Sequence, residues 1–173
     1  MKNIKTVILP AIILCVLCAV LTAILAGTNL LTRDTIAEKE AAKEAAALNS
    51  VIKDAQFETV LEEENLITYK ATKSGETVGY AFKATQNGYG DKVSVIIGIA
   101  DDKITAVEII DVSGETPGLG QDAKKESYTK SLAGLSSTDT VPKIKTGATI
   151  TSNAIKRAVE SAFSKYEEVA RNE

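Results

Sequence analysis

A run of 27 residues without a charged side chain, from Thr6 to Thr32, constrains this chain more than any other feature. As an α-helix, Thr6 to Leu31 would span about 39 Å, which exceeds the roughly 30 Å hydrocarbon core of a bilayer. The run is also longer than the apolar stretch of about 7–15 residues in a cleaved signal peptide. We therefore predict a single, tilted transmembrane helix within residues 1–32.

The charges that flank this run predict its orientation. Lys2 and Lys5 are the only charged residues before it. Because Lys and Arg concentrate on the cytoplasmic side of membrane spans, the N-terminus is expected in the cytoplasm. The part of the chain after this run is then expected to be extracytoplasmic. The protein would be a single-pass protein of the cell membrane, in contact with membrane lipid.

Residues 33–50 are rich in Ala, Glu and Lys, which are strong helix formers. Acidic and basic side chains alternate along this stretch and can pair on the surface of a helix. Alanine dominates its apolar positions, so a solvated helical stalk is a better interpretation than a coiled-coil interface. Residues 51–173 would then form the extracytoplasmic domain.

Composition excludes several classes of function. From Arg33 onward the chain carries 18 basic and 23 acidic side chains, a net charge of −5 that disfavours a nucleic-acid partner. The sequence has no His, and Cys15 and Cys18 lie within the apolar run. Catalytic triads with His, His-ligated metals and a disulfide framework are therefore excluded. We interpret the two cysteines as small apolar residues rather than a redox motif, and predict no catalytic residue and no metal site.

Three runs of β-branched and aromatic residues, separated by Gly and Asp turns, occupy the middle of the chain. Such runs favour β-strands, and Asp101–Asp102 between the last two predicts a hairpin. Asn153 to Ala170 carries apolar residues at helical spacing on one face. The strands precede the helix, so we predict the α+β class, an antiparallel sheet with packed helices. The predicted elements are strands at 77–85, 93–100, 104–112 and 141–145, and helices at 127–132 and 153–170.

One glycine-containing stretch invites a nucleotide-binding interpretation. Gly118, Gly120 and Ala123 match the G-x-G-x-x-A pattern, but that pattern requires a parallel βαβ unit, and the polar residues after it do not begin an apolar helix. Residues 115–120, ETPGLG, could instead form a rigid loop whose backbone approaches a flat ligand closely. An ordinary surface turn around Pro117 explains the same residues, and both interpretations stay open.

A second stretch, TGATITS at residues 146–152, has four hydroxyl side chains just before the best predicted helix. The N–H groups and the dipole at a helix start favour an anion, and Gly147 and Ala148 leave room for one. In the alternative, one of residues 151–153 only caps the helix. A phosphate site and a simple cap both remain open from the residues alone.

Taken together, these segments resemble the FMN-binding domain family. This domain is found in RnfG, a subunit of the Rnf electron-transport complex, and in the related FMN-binding subunit of the sodium-pumping NADH:quinone oxidoreductase. The resemblance covers nearly the whole chain. It rests on the single N-terminal span and on three motifs, GYGDKVSVIIGI at 88–99, ETPGLG at 115–120 and TGAT at 146–149 with ITS after it.

The resemblance implies a covalently bound FMN. In similar proteins the last Thr of the [ST]-G-A-T motif carries FMN through a phosphoester bond, which a separate flavin transferase makes outside the membrane with FAD and a divalent metal. That residue is Thr149 here, and the ETPGLG loop resembles the part that lines the flavin. The remaining cofactor-binding positions that the resemblance implies are Glu115, Thr116, Gly118, Leu119, Gly120, Thr146, Gly147, Ala148 and Thr151.

One position departs from the family pattern. The family usually has an acidic residue six positions before the modified Thr, where this chain has Lys143. This change could weaken recognition by the transferase. Alternatively, Lys143 and Lys145 could add positive charge near a phosphodiester.

The function implied by the resemblance is electron relay within an ion-translocating complex that couples reduced ferredoxin to NAD. The chain would be a redox subunit of a translocase, with other membrane subunits as partners and no complete catalytic site of its own. The short chain favours the Rnf type over the quinone oxidoreductase type, which resembles a longer version. A free-standing extracytoplasmic flavoprotein and a flavin-free structural subunit are further alternatives, and the intact Thr149 disfavours the latter.

Overall fold

The computed structural model describes residues 2–171, with side chains described from Ile8 onward. Met1 and residues 172–173, at the ends of the predicted segments 1–32 and 51–173, lie outside the described residues. The chain divides into two compact units, one ending at Ala42 and one beginning at Lys43. The predicted boundaries near residues 32 and 50 remain predictions.

The first helix, α1, comprises Lys2–Val51. It has an 18-residue segment with a mean hydropathy of 3.0 and no buried side chain, so it is long and apolar enough to cross a membrane. Large apolar side chains are exposed all along this segment. They include Leu9, Ile13, Leu17, Leu21 and Leu25.

Threonines within the apolar part of α1 bond to the helix backbone. The hydroxyl of Thr22 donates to the Cys18 carbonyl at 2.7 Å, and that of Thr28 donates to the Ile24 carbonyl at 2.9 Å. Thr32 donates in the same way to the Thr28 carbonyl. Each hydroxyl is thereby satisfied within the helix, as a lipid environment requires.

Five antiparallel strands form one sheet in the order of the chain. The hairpin turn at Asp101 and Asp102 is present, with φ of 51° and 60°, values that short Asp side chains tolerate. The antiparallel sheet with packed helices confirms the predicted α+β class. The strands are β1 (Gln56–Glu63), β2 (Leu66–Lys73), β3 (Glu76–Asn87), β4 (Lys92–Ala100) and β5 (Lys103–Asp111).

One face of the sheet packs against two helices and forms the main core. These helices are α2, Glu126–Leu132, and α3, Thr149–Ala170. Phe82 and Ile97 of the sheet and Ile155 of α3 are fully buried in this core. The core thus fixes the position of α3, whose first residue belongs to the TGAT motif.

The other face of the sheet is covered by the end of α1. Ala47 and Leu48 are buried, so the expectation of a solvated stalk is wrong for its last turns. Glu44 accepts hydrogen bonds from the Tyr69 hydroxyl and the Lys83 ammonium group. Burial raises the pKa of Glu44, but these two bonds and the charge of Lys83 lower it by more, so the net pKa lies below its usual range. The ion pair ties the end of α1 to strands β2 and β3.

Two predicted elements differ from the structure. Residues 141–145 form a loop rather than a strand, because Pro142 has no N–H to donate and the Ile144 N–H donates to the Ser152 hydroxyl at 3.1 Å. Helix α3 begins at Thr149, four residues before the predicted start at Asn153. The apolar side chains of the loop pack against the main core instead of pairing in the sheet.

Candidate functional site

A cavity of about 550 Å³ lies where three loops meet the start of α3. Its volume is within the range of about 300–1,000 Å³ that is usual for small-molecule sites. The lining residues come from the turn before β4, the loop after β5 and the beginning of α3. They are Tyr89, Glu115, Thr116, Leu119, Gly120, Gly147, Ala148, Thr149, Ile150 and Thr151.

Most of the residues that the sequence singles out line this one cavity. Glu115, Thr116, Leu119 and Gly120 form one wall, and residues 147–149 with Thr151 form another. Gly118 and Thr146 are not among the lining residues. The two motifs are therefore brought together in space, although they are separated in sequence by α2 and its flanking loops.

Thr149 is the first residue of α3, and its side chain is exposed. Ala148 occupies the N-cap position, and within the described chain no side chain caps this helix. The N–H groups of the first turn of α3 and the positive end of its dipole are therefore left open at the cavity. An anionic group attached at Thr149 would be stabilised there.

The alternative that residues 151–153 cap α3 is wrong. All three lie inside the helix, where the Ser152 hydroxyl donates to the Ala148 carbonyl at 2.7 Å. The same hydroxyl accepts the Ile144 N–H. Ser152 thus anchors the preceding loop to α3 and leaves the first turn open.

A buried carboxylate joins the three segments around the cavity. Glu115 is only 3% exposed, and its Oε1 accepts hydrogen bonds from the N–H groups of Tyr89 at 2.8 Å and Gly90 at 3.2 Å. Its Oε2 accepts the hydroxyl of Thr151, which is itself buried in the first turn of α3. Glu115 therefore holds the Tyr89 turn and the start of α3 in one arrangement.

The close packing around this carboxylate depends on glycine. A Cβ at Gly120 would lie 2.6 Å from the Thr151 hydroxyl oxygen and 2.7 Å from Glu115 Oε2. Both distances are shorter than a carbon–oxygen contact allows. The last glycine of ETPGLG is thus required for this loop to approach α3 closely.

A lysine links the two motifs on the outside of the cavity. The Lys145 ammonium nitrogen donates to the Gly118 carbonyl at 2.8 Å and lies 2.9 Å from Asp122 Oδ2. Hydrogen bonds from Lys125 and Lys145 hold the pKa of Asp122 below its usual range. The Lys145 charge is therefore paired within the protein although its side chain is 42% exposed, and Lys143 is exposed as well.

Two apolar residues of the cavity were not among the predicted site residues. Tyr89 is 70% exposed despite its aromatic ring, and Ile150 is also exposed. Both lie at the cavity, where such side chains can contact a flat ring. The sequence signal for Tyr89 is an aromatic residue between Gly88 and Gly90, at the start of the GYGDKVSVIIGI motif.

A second cavity, of about 650 Å³, lies between the β1–β2 hairpin and α3. None of the predicted motifs contributes to it, and five of its ten lining residues are charged. The lining residues are Glu63, Glu64, Asn65, Leu66, Gln86, Glu160, Ser161, Ser164, Lys165 and Glu168.

The fold and the first cavity are those of an FMN-binding domain that follows a long apolar helix. Residues 88–164 match the family model described as FMN-binding domain, and this range includes all three motifs. Residues 1–51, a range that contains α1, match the model described as RnfG N-terminal region.

Comparison with curated proteins shows which family of FMN-binding proteins the chain belongs to. The chain is 32% identical to the G subunit of the Na(+)-translocating ferredoxin:NAD(+) oxidoreductase complex of Acetobacterium woodii, over 96% of this chain and 95% of the relative. It is 27% identical to the same subunit of the proton-translocating complex of Clostridium ljungdahlii, covering 86% and 85%. The corresponding subunit of the ion-translocating oxidoreductase complex of Vibrio atlanticus is 29% identical, covering 87% and 86%. The chain belongs to the RnfG family of these ion-translocating oxidoreductase complexes, which confirms the resemblance seen in the sequence.

Proposed function

We propose that this chain is the FMN-carrying electron-relay subunit of a membrane-bound ion-translocating ferredoxin:NAD oxidoreductase, with FMN attached to Thr149 through a phosphoester bond. The observation that carries the proposal is the meeting of ETPGLG and TGAT in one cavity, with Thr149 at its edge. The relatives from Acetobacterium and Clostridium support the kind of complex in which the chain would act.

The residues around the cavity fit an FMN. Tyr89, Leu119 and Ile150 offer apolar surface to a flat ring, and the uncapped start of α3 suits a phosphate. Gly147 leaves space beside Leu119, whose Cδ2 would lie 3.3 Å from an added Cβ. Flavin supplies the electron-transfer chemistry, while the protein binds and orients it. This division explains why the chain has no His and no exported Cys.

The membrane arrangement belongs to the same proposal. The long apolar α1 supports anchoring among lipids and the other membrane subunits. We infer that residues 1–32 form the anchor, with the N-terminus in the cytoplasm, that 33–50 connect it, and that 51–173 form the extracytoplasmic FMN domain. A flavin transferase on that side would reach Thr149, because its side chain is exposed.

The proposal is tested on the full chain co-expressed with a flavin transferase. We expect the intact mass to increase by one FMN less water, with the added mass in the peptide that contains Thr149. Thr149→Ala should lose all covalent flavin while keeping its fold, since the loss of one hydroxyl near a helix start costs about 1 kcal/mol. Thr140→Ala, at an exposed loop position, is the control and should be labelled normally.

Two results would contradict the proposal. Covalent flavin on Thr146 or Thr151 would place the attachment at the wrong residue. Normal coupling of ferredoxin oxidation to NAD reduction by an assembled, flavin-free Thr149→Ala complex would favour the alternative of a purely structural role.

A further inference from the structure

Glu115 is the single charged residue among the described residues that line the first cavity. It is 3% exposed, so water screens its charge poorly. The other lining residues are apolar side chains, glycines, threonines and Tyr89. Any group that occupies the cavity therefore meets this carboxylate as the one charged side chain of the described lining, together with the positive end of the α3 dipole.

The hydrogen bonds of Glu115 suit an ionised carboxylate. Two backbone N–H groups, those of Tyr89 and Gly90, donate to Oε1, and the Thr151 hydroxyl donates to Oε2. Both oxygens thus act as acceptors, as in the ionised form. All three donors are neutral, so they stabilise the negative charge without cancelling it.

A basic partner for Glu115 is absent from the described part of the chain. None of the ion pairs formed there includes this residue. The lysine that does reach the same loop, Lys145, is bound to the Gly118 carbonyl and to Asp122. The charge of Glu115 is therefore not neutralised by a salt bridge.

Resting on the proposed function, in which FMN occupies this cavity, we propose that the Glu115 carboxylate lowers the reduction potential of the flavin. Reduction adds electrons to the cofactor and increases its negative charge. A fixed negative charge in a poorly screened wall disfavours that change, and its interaction with a second charge remains substantial over several ångströms. Glu115 is then a potential-setting residue as well as the organiser of the loops.

Two substitutions in the same hydrogen-bond network distinguish an effect of the Glu115 charge from an effect of its structural role. Glu115→Gln removes the charge and keeps the shape, and its amide can still accept the two backbone bonds while the Thr151 hydroxyl accepts from it. Thr151→Val removes one bond of the same network but keeps the charge. Glu126→Gln removes an exposed carboxylate on α2, paired with Lys130, and serves as the control.

The experiment is a potentiometric titration of the purified, flavin-loaded full chain in detergent. The visible absorption of the flavin is recorded at each potential. We expect Glu115→Gln to raise the midpoint potential, changing the ratio of oxidised to reduced flavin at a fixed potential by about tenfold. Thr151→Val should leave the potential unchanged or lower it, and Glu126→Gln should leave it unchanged.

An unchanged or lowered potential in Glu115→Gln would overturn the inference, as would equal upward shifts in Glu115→Gln and Thr151→Val. If neither Glu115→Gln nor Glu115→Ala folds while Thr151→Val does, Glu115 has a structural role only and the inference is also overturned. A wild-type chain that gains no flavin mass would instead contradict the proposed function, so the two failures are distinguishable.

Discussion

The ammonium nitrogen of Lys145 donates to the carbonyl oxygen of Gly118 at 2.8 Å and so joins the loop before α3 to the ETPGLG loop. The same nitrogen lies 2.9 Å from Asp122 Oδ2. Lys145 therefore connects the two loops that form the walls of the first cavity. A pairing of its charge with a phosphodiester would have to compete with these two bonds.

We expect Lys145→Met to reduce the fraction of chain that carries covalent FMN when the transferase is limiting. The reason is that the two walls would no longer be held together at this point. Global stability should change by less than about 1 kcal/mol, because the lysine is partly exposed. Intact mass measures the labelled fraction, and Lys156→Met, which breaks an exposed pair on α3, is the control. Equal labelling of both variants would show that the contacts of Lys145 do not matter for FMN attachment.

Gly120→Ala should both destabilise the domain and weaken FMN attachment. The added Cβ would collide with the Thr151 hydroxyl and with Glu115, which are buried and cannot move away easily. Overpacking of this kind costs about 1–3 kcal/mol. Gly27→Ala, in helix α1, is the control, because an added Cβ there has nothing within 4 Å. Thermal unfolding and the flavin mass together measure the effect, and a fully labelled, stable Gly120→Ala would refute the close-approach argument.

Lys143→Asp tests whether the departure from the family pattern limits maturation. Lys143 is exposed, so the substitution should leave the fold unchanged. If the transferase recognises an acidic residue here, the labelled fraction should rise when the transferase is limiting. Lys156→Asp, on the exposed face of α3, controls for the change in net charge. Unchanged or reduced labelling would show that this position does not limit recognition.

We expect the domain to lose stability at alkaline pH because of the buried Tyr128 hydroxyl. Burial raises the pKa of Tyr128 to about 12 from an ordinary value near 10, and its hydroxyl donates to the Pro142 carbonyl at 3.2 Å. The unfolded chain ionises first, so the stabilisation is complete below about pH 10 and is lost as the pH rises through about 12. Tyr128→Phe should reduce this alkaline slope, at a cost of about 1 kcal/mol at pH 8 for the lost hydrogen bond.

The measurement for Tyr128 is urea unfolding of the full chain in detergent at pH 8 and pH 11. Tyr69 also has a raised pKa, caused by burial and by its bond to Glu44, so part of the slope should remain in Tyr128→Phe. An identical slope in the variant and the wild type would contradict the assignment to Tyr128.

Local patterns predict the central strands and the main helix, because each carries its own periodicity. The hairpin at Asp101–Asp102 is also predictable, since only a few residue types tolerate its backbone conformation. The strand predicted at 141–145 is wrong because a short apolar run does not reveal whether its residues pair in a sheet or cover a core. Strand β1 is not predicted, as its mostly exposed residues lack an apolar pattern.

The candidate site, like the fold, can be predicted only in part from the sequence. Thr149 and the ETPGLG loop can be predicted, because their residues form a recognisable motif. The role of Glu115 cannot, because its partners Tyr89 and Thr151 are 26 residues before it and 36 residues after it. Hydrogen bonds over such distances in the chain leave no local periodicity.

The apolar anchor, the class of fold and the family are already specified by the order of the residues, because apolar length, periodicity and short motifs are properties of neighbours along the chain. Three features emerge only from folding: both motifs line one cavity, α3 begins at Thr149 without a side-chain cap, and Glu115 is buried without a basic partner in the described chain. The physical reason is that burial and charge compensation depend on which distant segments the packed core brings together. In this chain the packing of α3 on the sheet brings them together.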